Sequence, residues 1–219
     1  WKAEAGAAEQ LPATRFTGYE SLEGAAKVLA ILKAGAPADS LAEGEEGVLV
    51  LDETPFYAES GGQAGDAGAV ENGDGLFLVG QTSKTAGGVF LHSGVMQKGL
   101  LCAGDTVTAK VDRIGRAATM RNHTAAHLLQ AALRRVLGDH VEQAGQLVTS
   151  SRMRFDFTHF STLTGDELRK VEGLVNLWIM EGLQTVVREM PIEEARKLGA
   201  MALFGEKYGD IVRVVSVGN

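Results

Sequence analysis

Arg121-Asn-His-Thr-Ala-Ala-His-Leu-Leu129 lies inside a longer run, Ile114 to Leu137, and the reading of that run decides the fold class. The run is rich in Ala, Leu and Arg, all good helix formers, and its apolar residues recur at three and four. That period belongs to a helix with one face turned inward. Gly138 is the expected stop, since glycine accepts the backbone conformation that closes a helix. His123 and His127 stand four apart, so their imidazoles lie one above the other on one face. Two ring nitrogens so placed can share a metal ion, most often zinc. The alternative is a pair of ordinary, partly buried histidines. A tetrahedral site needs four ligands, or three and a water, so the pair supplies half at most. Thr124 stands where a zincin protease carries its glutamate, which argues against that chemistry.

On the N-terminal side the chain reads as strands and turns. Val48–Leu51, Leu76–Val79, Val89–Leu91 and Thr106–Val111 are short and β-prone, and glycine-rich stretches such as Glu71–Gly75 and Ala86–Gly88 separate them. Several short strands at that spacing predict a small barrel or sandwich. Residues 25–33 fit either period. On the C-terminal side two strands are expected, around Gly145–Val148 and Arg152–Phe157. Thr164-Gly-Asp-Glu167 is a capping box opening a helix through about Glu181. A strand near Gln184–Glu189 follows, then a short helix with Pro191 in its first turn ending by Gly199, and a last strand, Ile211–Val217. The expectation is an α+β protein: a β-barrel-like, glycine-rich subdomain over 1–113 and an α/β subdomain over 114–219 that carries the histidine helix.

At 219 residues the chain is long enough to bury a substantial core. Its 45% hydrophobic and 22% charged content are those of an ordinary globular protein. There is no apolar run of membrane-spanning length and no signal-peptide pattern. A lone Cys102 excludes an internal disulfide and points to a reducing, cytoplasmic setting. The chain begins at Trp1 and ends just past a strand, so a piece of a longer protein is the expected origin of both ends. Net charge is −7, which argues against a module that grips nucleic acid by bulk electrostatics. The charge is uneven: −9 over residues 1–109, +5 over 110–154 and −3 over 155–219. The basic stretch brackets the histidine pair, which suits either a polyanion or a solvated helix face.

A second constellation is Thr54-Pro-Phe-Tyr-Ala-Glu-Ser-Gly-Gly-Gln-Ala-Gly-Asp66. Its glycines let backbone amides approach a ligand, and Thr54, Ser60 and Gln63 add groups able to hold a polar substrate. The other reading is a glycine-rich connection between strands. Gln143 follows the histidine helix closely enough to face the same cleft, or it is a surface glutamine. Cys102 reads as a small core residue before it reads as a ligand. Met201–Gly209 reads as a packed turn. No serine sits on a nucleophile elbow, and the cysteine has no evident partner.

Taken in order, Thr54–Asp66, His123-Thr-Ala-Ala-His127-Leu-Leu and Met201-Ala-Leu-Phe-Gly-Glu-Lys-Tyr-Gly209 resemble the editing domain of bacterial alanyl-tRNA synthetases over nearly the whole chain. Threonyl-tRNA synthetase editing domains and free-standing trans-editing proteins share the histidine helix; the uninterrupted stretch from the glycine loop onward favours the alanyl enzyme. The resemblance implies hydrolysis of the aminoacyl ester of Ser-tRNA(Ala) and Gly-tRNA(Ala) within a cytoplasmic, ATP-binding ligase. It implies the tRNA(Ala) acceptor end and the remainder of the synthetase chain as partners, with no membrane. It also implies zinc on His123 and His127, completed by a Cys-x-x-x-His motif that in the family follows the strand ending here near Val217 and that this sequence lacks. Thr54 and Gln143 match residues that contact serine or help discriminate, and Gln63 lies in the same motif. The 219 residues alone are therefore expected to bind zinc weakly and to deacylate little. Recognition of serine by its hydroxyl is physically sound, because alanine would leave the polar groups of the site unpaired, a mismatch worth up to ~10⁴-fold. Two other readings are a non-catalytic module for the tRNA acceptor end and an unrelated metal-dependent hydrolase of small esters.

Overall fold

A computed structural model describes residues 8, 10–198 and 209–218. The chain is α+β, with a closed six-stranded barrel in its first half. It divides into two compact units: Trp1–Met120 with Val148–Arg152, and Arg121–Leu147 with Met153–Asn219.

In the first unit the barrel strands are β2 (Glu23–Lys33), β5 (Glu46–Leu51), β7 (Gly68–Glu71), β8 (Gly75–Lys84), β9 (Phe90–Cys102) and β10 (Thr106–Val111). They hydrogen-bond in the order β10-β7-β8-β9-β5-β2, and β10 also pairs with β2, so no edge is left open. All the barrel pairings are antiparallel. Residues 25–33, open between helix and strand in sequence, are strand, with a register shift between Val28 and Ala30. Strand β9 runs well past Leu91, to Cys102, which is half-buried beside the turn into β10.

Alternation fills the barrel. In β8, Phe77 and Val79 are buried while Leu76 and Leu78 are less so; in β10, Val107, Ala109 and Val111 point inward. They join Val28, Ile31, Leu49, Leu51, Phe56 and Met96 in one core. A second cluster holds the other side chains of β2 and β5, Leu32, Val48 and Val50, with Val89 and Leu91. Strand β5 is thus buried on both faces, which is why it reads as an unbroken apolar run.

Short strands decorate the barrel: β1 (Arg15–Phe16) pairs in parallel with β6 (Glu53–Thr54), β3 (Ala36–Ala38) with β2, and β4 (Ser40–Ala42) with β9. Helix α1 (Arg113–Leu137) begins at Asp112, whose carboxylate accepts from the Ile114 amide at 3.0 Å. Gly138, at φ +116°, ends it as the sequence predicts.

The second unit holds most of α1, the β11–β12 hairpin (Gln143–Val148, Met153–Phe157), α2 (Gly165–Met180), β13 (Thr185–Pro191), α3 (Ile192–Lys197) and β14 (Ile211–Val217). Ala132, Leu133, Val141 and Val171 form its core, with Phe155, Phe157 and Trp178 packed around them. The capping box opens α2. Pro191 closes β13 and is the N-cap of α3, one step earlier than the first-turn position expected of it. Strands β13 and β14 form an antiparallel ribbon from Thr185 opposite Val217 to Pro191 opposite Ile211.

Candidate functional site

Helical spacing delivers what it promises for His123 and His127. Their rings stack with centroids 5.1 Å apart and planes within 10°. Both are half-buried. Burial pushes both rings below the usual imidazole range, and His127 beside it lowers His123 further. Both rings are thereby biased toward the neutral form, whose free nitrogen lone pair is what a metal takes. Among the described residues no group of three or more His, Cys, Asp or Glu gathers to hold a metal ion. The pair fits zinc as half of a donor set.

Gln143 opens β11 and belongs to the same unit as the histidines. Its side-chain Oε1 is buried and, among the described residues, is the sole buried side-chain N or O atom without a hydrogen-bond partner. An amide oxygen stripped of water and given nothing in return costs about 1–3 kcal/mol. Such an atom is placed to receive a donor from a ligand.

The glycine-rich stretch lies in the first unit. Gly61 and Gly62, at φ +58° and +78°, make a tight turn in which the amides and carbonyls of Ser60 and Gln63 bond each other. Two consecutive positive φ values are what such a turn demands, hence the Gly-Gly. Gln63 is buried, and next to it the Ala64 amide donates to Val148 O at 2.9 Å while the Val148 amide donates to Gly62 O at 2.7 Å. Gly65 is required for a different reason: a Cβ there would sit 1.9 Å from the Thr82 carbonyl oxygen.

Thr54 is fully buried in the same unit. Its hydroxyl lies 2.8 Å from His92 Nε2, and the Phe56 amide donates to it at 3.2 Å. His92 Nδ1 lies 3.0 Å from the Leu49 carbonyl, which can only accept. Nδ1 therefore carries the proton, Nε2 accepts, and the Thr54 hydroxyl donates. Burial pushes the His92 pKa down to about 4, in keeping with a neutral ring.

Three features of the structure have no counterpart in the sequence reading. One is His92 itself. The second is a buried ion pair: Arg116 Nε donates to both Asp66 oxygens at 2.9–3.0 Å, Nη1 donates to Gly18 O and Nη2 to Pro55 O. Asp66 also accepts from the Tyr57 amide at 2.7 Å. The pair ties the glycine-rich stretch to the first turns of α1. The third is a stack of His140, His159 and Phe160 in the second unit. Met201–Gly209, apart from Gly209, lies outside the described residues.

Similarity to known proteins bears on what these residues serve. The chain is 53% identical to an alanine--tRNA ligase of Methylobacillus flagellatus over 206 residues, 94% of this chain and 24% of that protein. It is 54% identical to one of Pseudomonas fluorescens over 206 residues, again 94% of the chain and 24% of the relative. For that of Dechloromonas aromatica the figures are 53% over 208 residues, 95% and 24%. The chain thus spans about a quarter of the length of these relatives. The family described as tRNA synthetases class II (A) matches residues 2–114, just over half of the sequence, and to that family this chain belongs.

Proposed function

We propose that this chain is the editing region of an alanyl-tRNA synthetase, hydrolysing the aminoacyl ester of Ser-tRNA(Ala) and Gly-tRNA(Ala). The observation that carries the reading is the stacked, half-buried His123/His127 pair, in a chain about 53% identical to alanine--tRNA ligases over 94% of its length. The pair offers two neutral imidazoles to a zinc ion whose remaining ligands come from elsewhere in the parent enzyme. Zinc so held supplies Lewis-acid help to ester hydrolysis or a fixed point for the amino acid.

The chain's own residues do the rest. The unpaired Gln143 Oε1 accepts a hydrogen bond from the serine hydroxyl or the substrate ammonium. Alanine has no hydroxyl to offer it, so the oxygen would stay desolvated and unpaired, and alanine is disfavoured by that cost. For Thr54 to meet a serine hydroxyl it must exchange its present bond to His92, so its role depends on that exchange. Gln63 acts through the turn it closes with Ser60.

The test is deacylation of preformed Ser-tRNA(Ala) by the complete synthetase. His123→Ala should lower the rate at least 100-fold and reduce bound zinc, with aminoacylation by alanine unchanged. Wild-type deacylation in His123→Ala would rule the reading out.

A further inference from the structure

The β11–β12 hairpin brings together residues that are far apart in sequence. The Thr158 amide donates to Glu142 O at 3.0 Å, extending the pairing beyond the strands and setting His140 beside His159 and Phe160. His140 Nε2 and His159 Nδ1 lie 2.9 Å apart, within hydrogen-bond distance. Phe160 lies on His140 with centroids 4.4 Å apart and planes within 23°, yet it is 87% exposed. A phenylalanine so exposed hides little apolar surface by folding. What folding does provide is a ring held flat, backed by an imidazole that is itself anchored by a second one.

The elements around the stack carry cationic side chains among acidic ones. Arg134 contacts the Val141 carbonyl and pairs with Asp139, on either side of His140. Glu167, whose carboxyl feels His159, is engaged by Thr164. It lines a shallow groove between α1 and α2 with Arg135 and Lys170. Flat π faces flanked by cationic side chains are how proteins hold unpaired nucleotides, whose bases stack on the rings while the backbone follows the charge.

We infer that the Phe160–His140–His159 stack is a platform for one unpaired base near the 3′ end of an RNA. The partner class rests on the synthetase reading above, while the stacking contact is independent of the deacylation chemistry. Phe160 takes the base on its open face; His140 and His159 hold Phe160 in place and touch no substrate.

The complete synthetase provides the test, with two readouts. Deacylation of Ser-tRNA(Ala) by Phe160→Ala should show KM raised on the order of ten-fold with kcat unchanged. Phe160→Tyr should restore it. An RNA hairpin with 2-aminopurine in an unpaired 3′ tail should be quenched by the wild type and by Phe160→Tyr but much less by Phe160→Ala, and a blunt hairpin should not respond. Because Phe160 is exposed, its removal leaves the fold intact, and an unchanged melting temperature verifies this. An unchanged KM together with unchanged quenching overturns the inference, as does a Phe160→Tyr variant as impaired as Phe160→Ala. If the wild type fails to deacylate, the editing reading falls, and the quenching comparison still decides the platform by itself.

Discussion

The barrel and the histidine-bearing unit differ in how they treat buried polar groups. In the barrel unit Thr14, Thr54, Asp66, Thr82, His92 and Arg116 are all buried, and each has its hydrogen bonds. Closure leaves none of the six strands an unpaired edge. In the other unit a buried acceptor, Gln143 Oε1, goes without a partner. There Leu177, Ile179 and Met180 of α2, Val186 and Val187 of β13 and Ile211 and Val215 of β14 stay exposed. A region whose groups are satisfied internally has little left to offer a ligand; one with an orphan acceptor, paired imidazoles and an open aromatic ring has a good deal. Among the described residues the first unit satisfies its buried polar groups within itself, and the second keeps one acceptor open.

The contrast breaks most sharply at Asp66 and Arg116. Removing one partner of a buried ion pair strands the other charge, so Asp66→Ala should cost the chain about 3–5 kcal/mol in denaturant unfolding. The double change Asp66→Leu with Arg116→Met should recover only part of that, because the Gly18 and Pro55 carbonyls lose their donors too. A loss below about 1 kcal/mol in Asp66→Ala would mean that the barrel unit does not depend on internal satisfaction.

His92 sharpens the same point through pH. Its folded pKa of about 4 lies below the ordinary 6.5, so the unfolded chain binds the proton more readily. Stability from this group is complete above pH 6.5 and is lost as pH falls toward 4, by about 3 kcal/mol in all. Protection factors of the β5 and β9 amides, taken relative to the intrinsic exchange rate at each pH, should fall across that window, and His92→Gln should flatten the response. Protection factors independent of pH between 7 and 4 in the wild type would contradict a neutral, buried His92.

How much of this was legible beforehand depends on the range of the interactions. Local signals carried far: the helical period placed α1 to within a residue, and Ile211–Val217 is a strand at both of its expected ends. The Thr164–Glu167 box located α2 because both of its hydrogen bonds lie within four residues. Residues 25–33 were ambiguous because Ala, Leu and Lys suit either state; pairing with β5 and β10 settles them, and that is tertiary. The closing β10–β2 contact leaves no local trace. The site divides in the same way. His123 and His127 are four apart and readable. Asp66 and Arg116 are 50 apart, Thr54 and His92 are 38 apart, and no periodicity links them. His140 and His159, 19 apart, were within reach of an argument that folded the two expected strands into a hairpin.

The surface of the second unit contributes to stability in small local amounts. Thr164 is the largest of these. Its hydroxyl accepts from the Glu167 amide at 3.3 Å, and its own amide donates to Glu167 Oε2 at 2.8 Å. The Thr164 amide, together with the Thr164 hydroxyl, which donates to Glu167 Oε2 at 2.8 Å, holds the Glu167 carboxyl below the usual carboxylate range, so that contribution fades on acidification through that range. Thr164→Ala should cost about 1 kcal/mol, and Thr164→Ser should cost much less. The exposed Arg196–Glu193 pair, at 3.0 Å on α3, sets the lower bound. Both side chains are mostly solvated, so Arg196→Ala should change stability by under about 0.5 kcal/mol, and added salt should erase even that. Were the Arg196 change to rival the Asp66 one, burial would not be what separates the energetics of these two ion pairs.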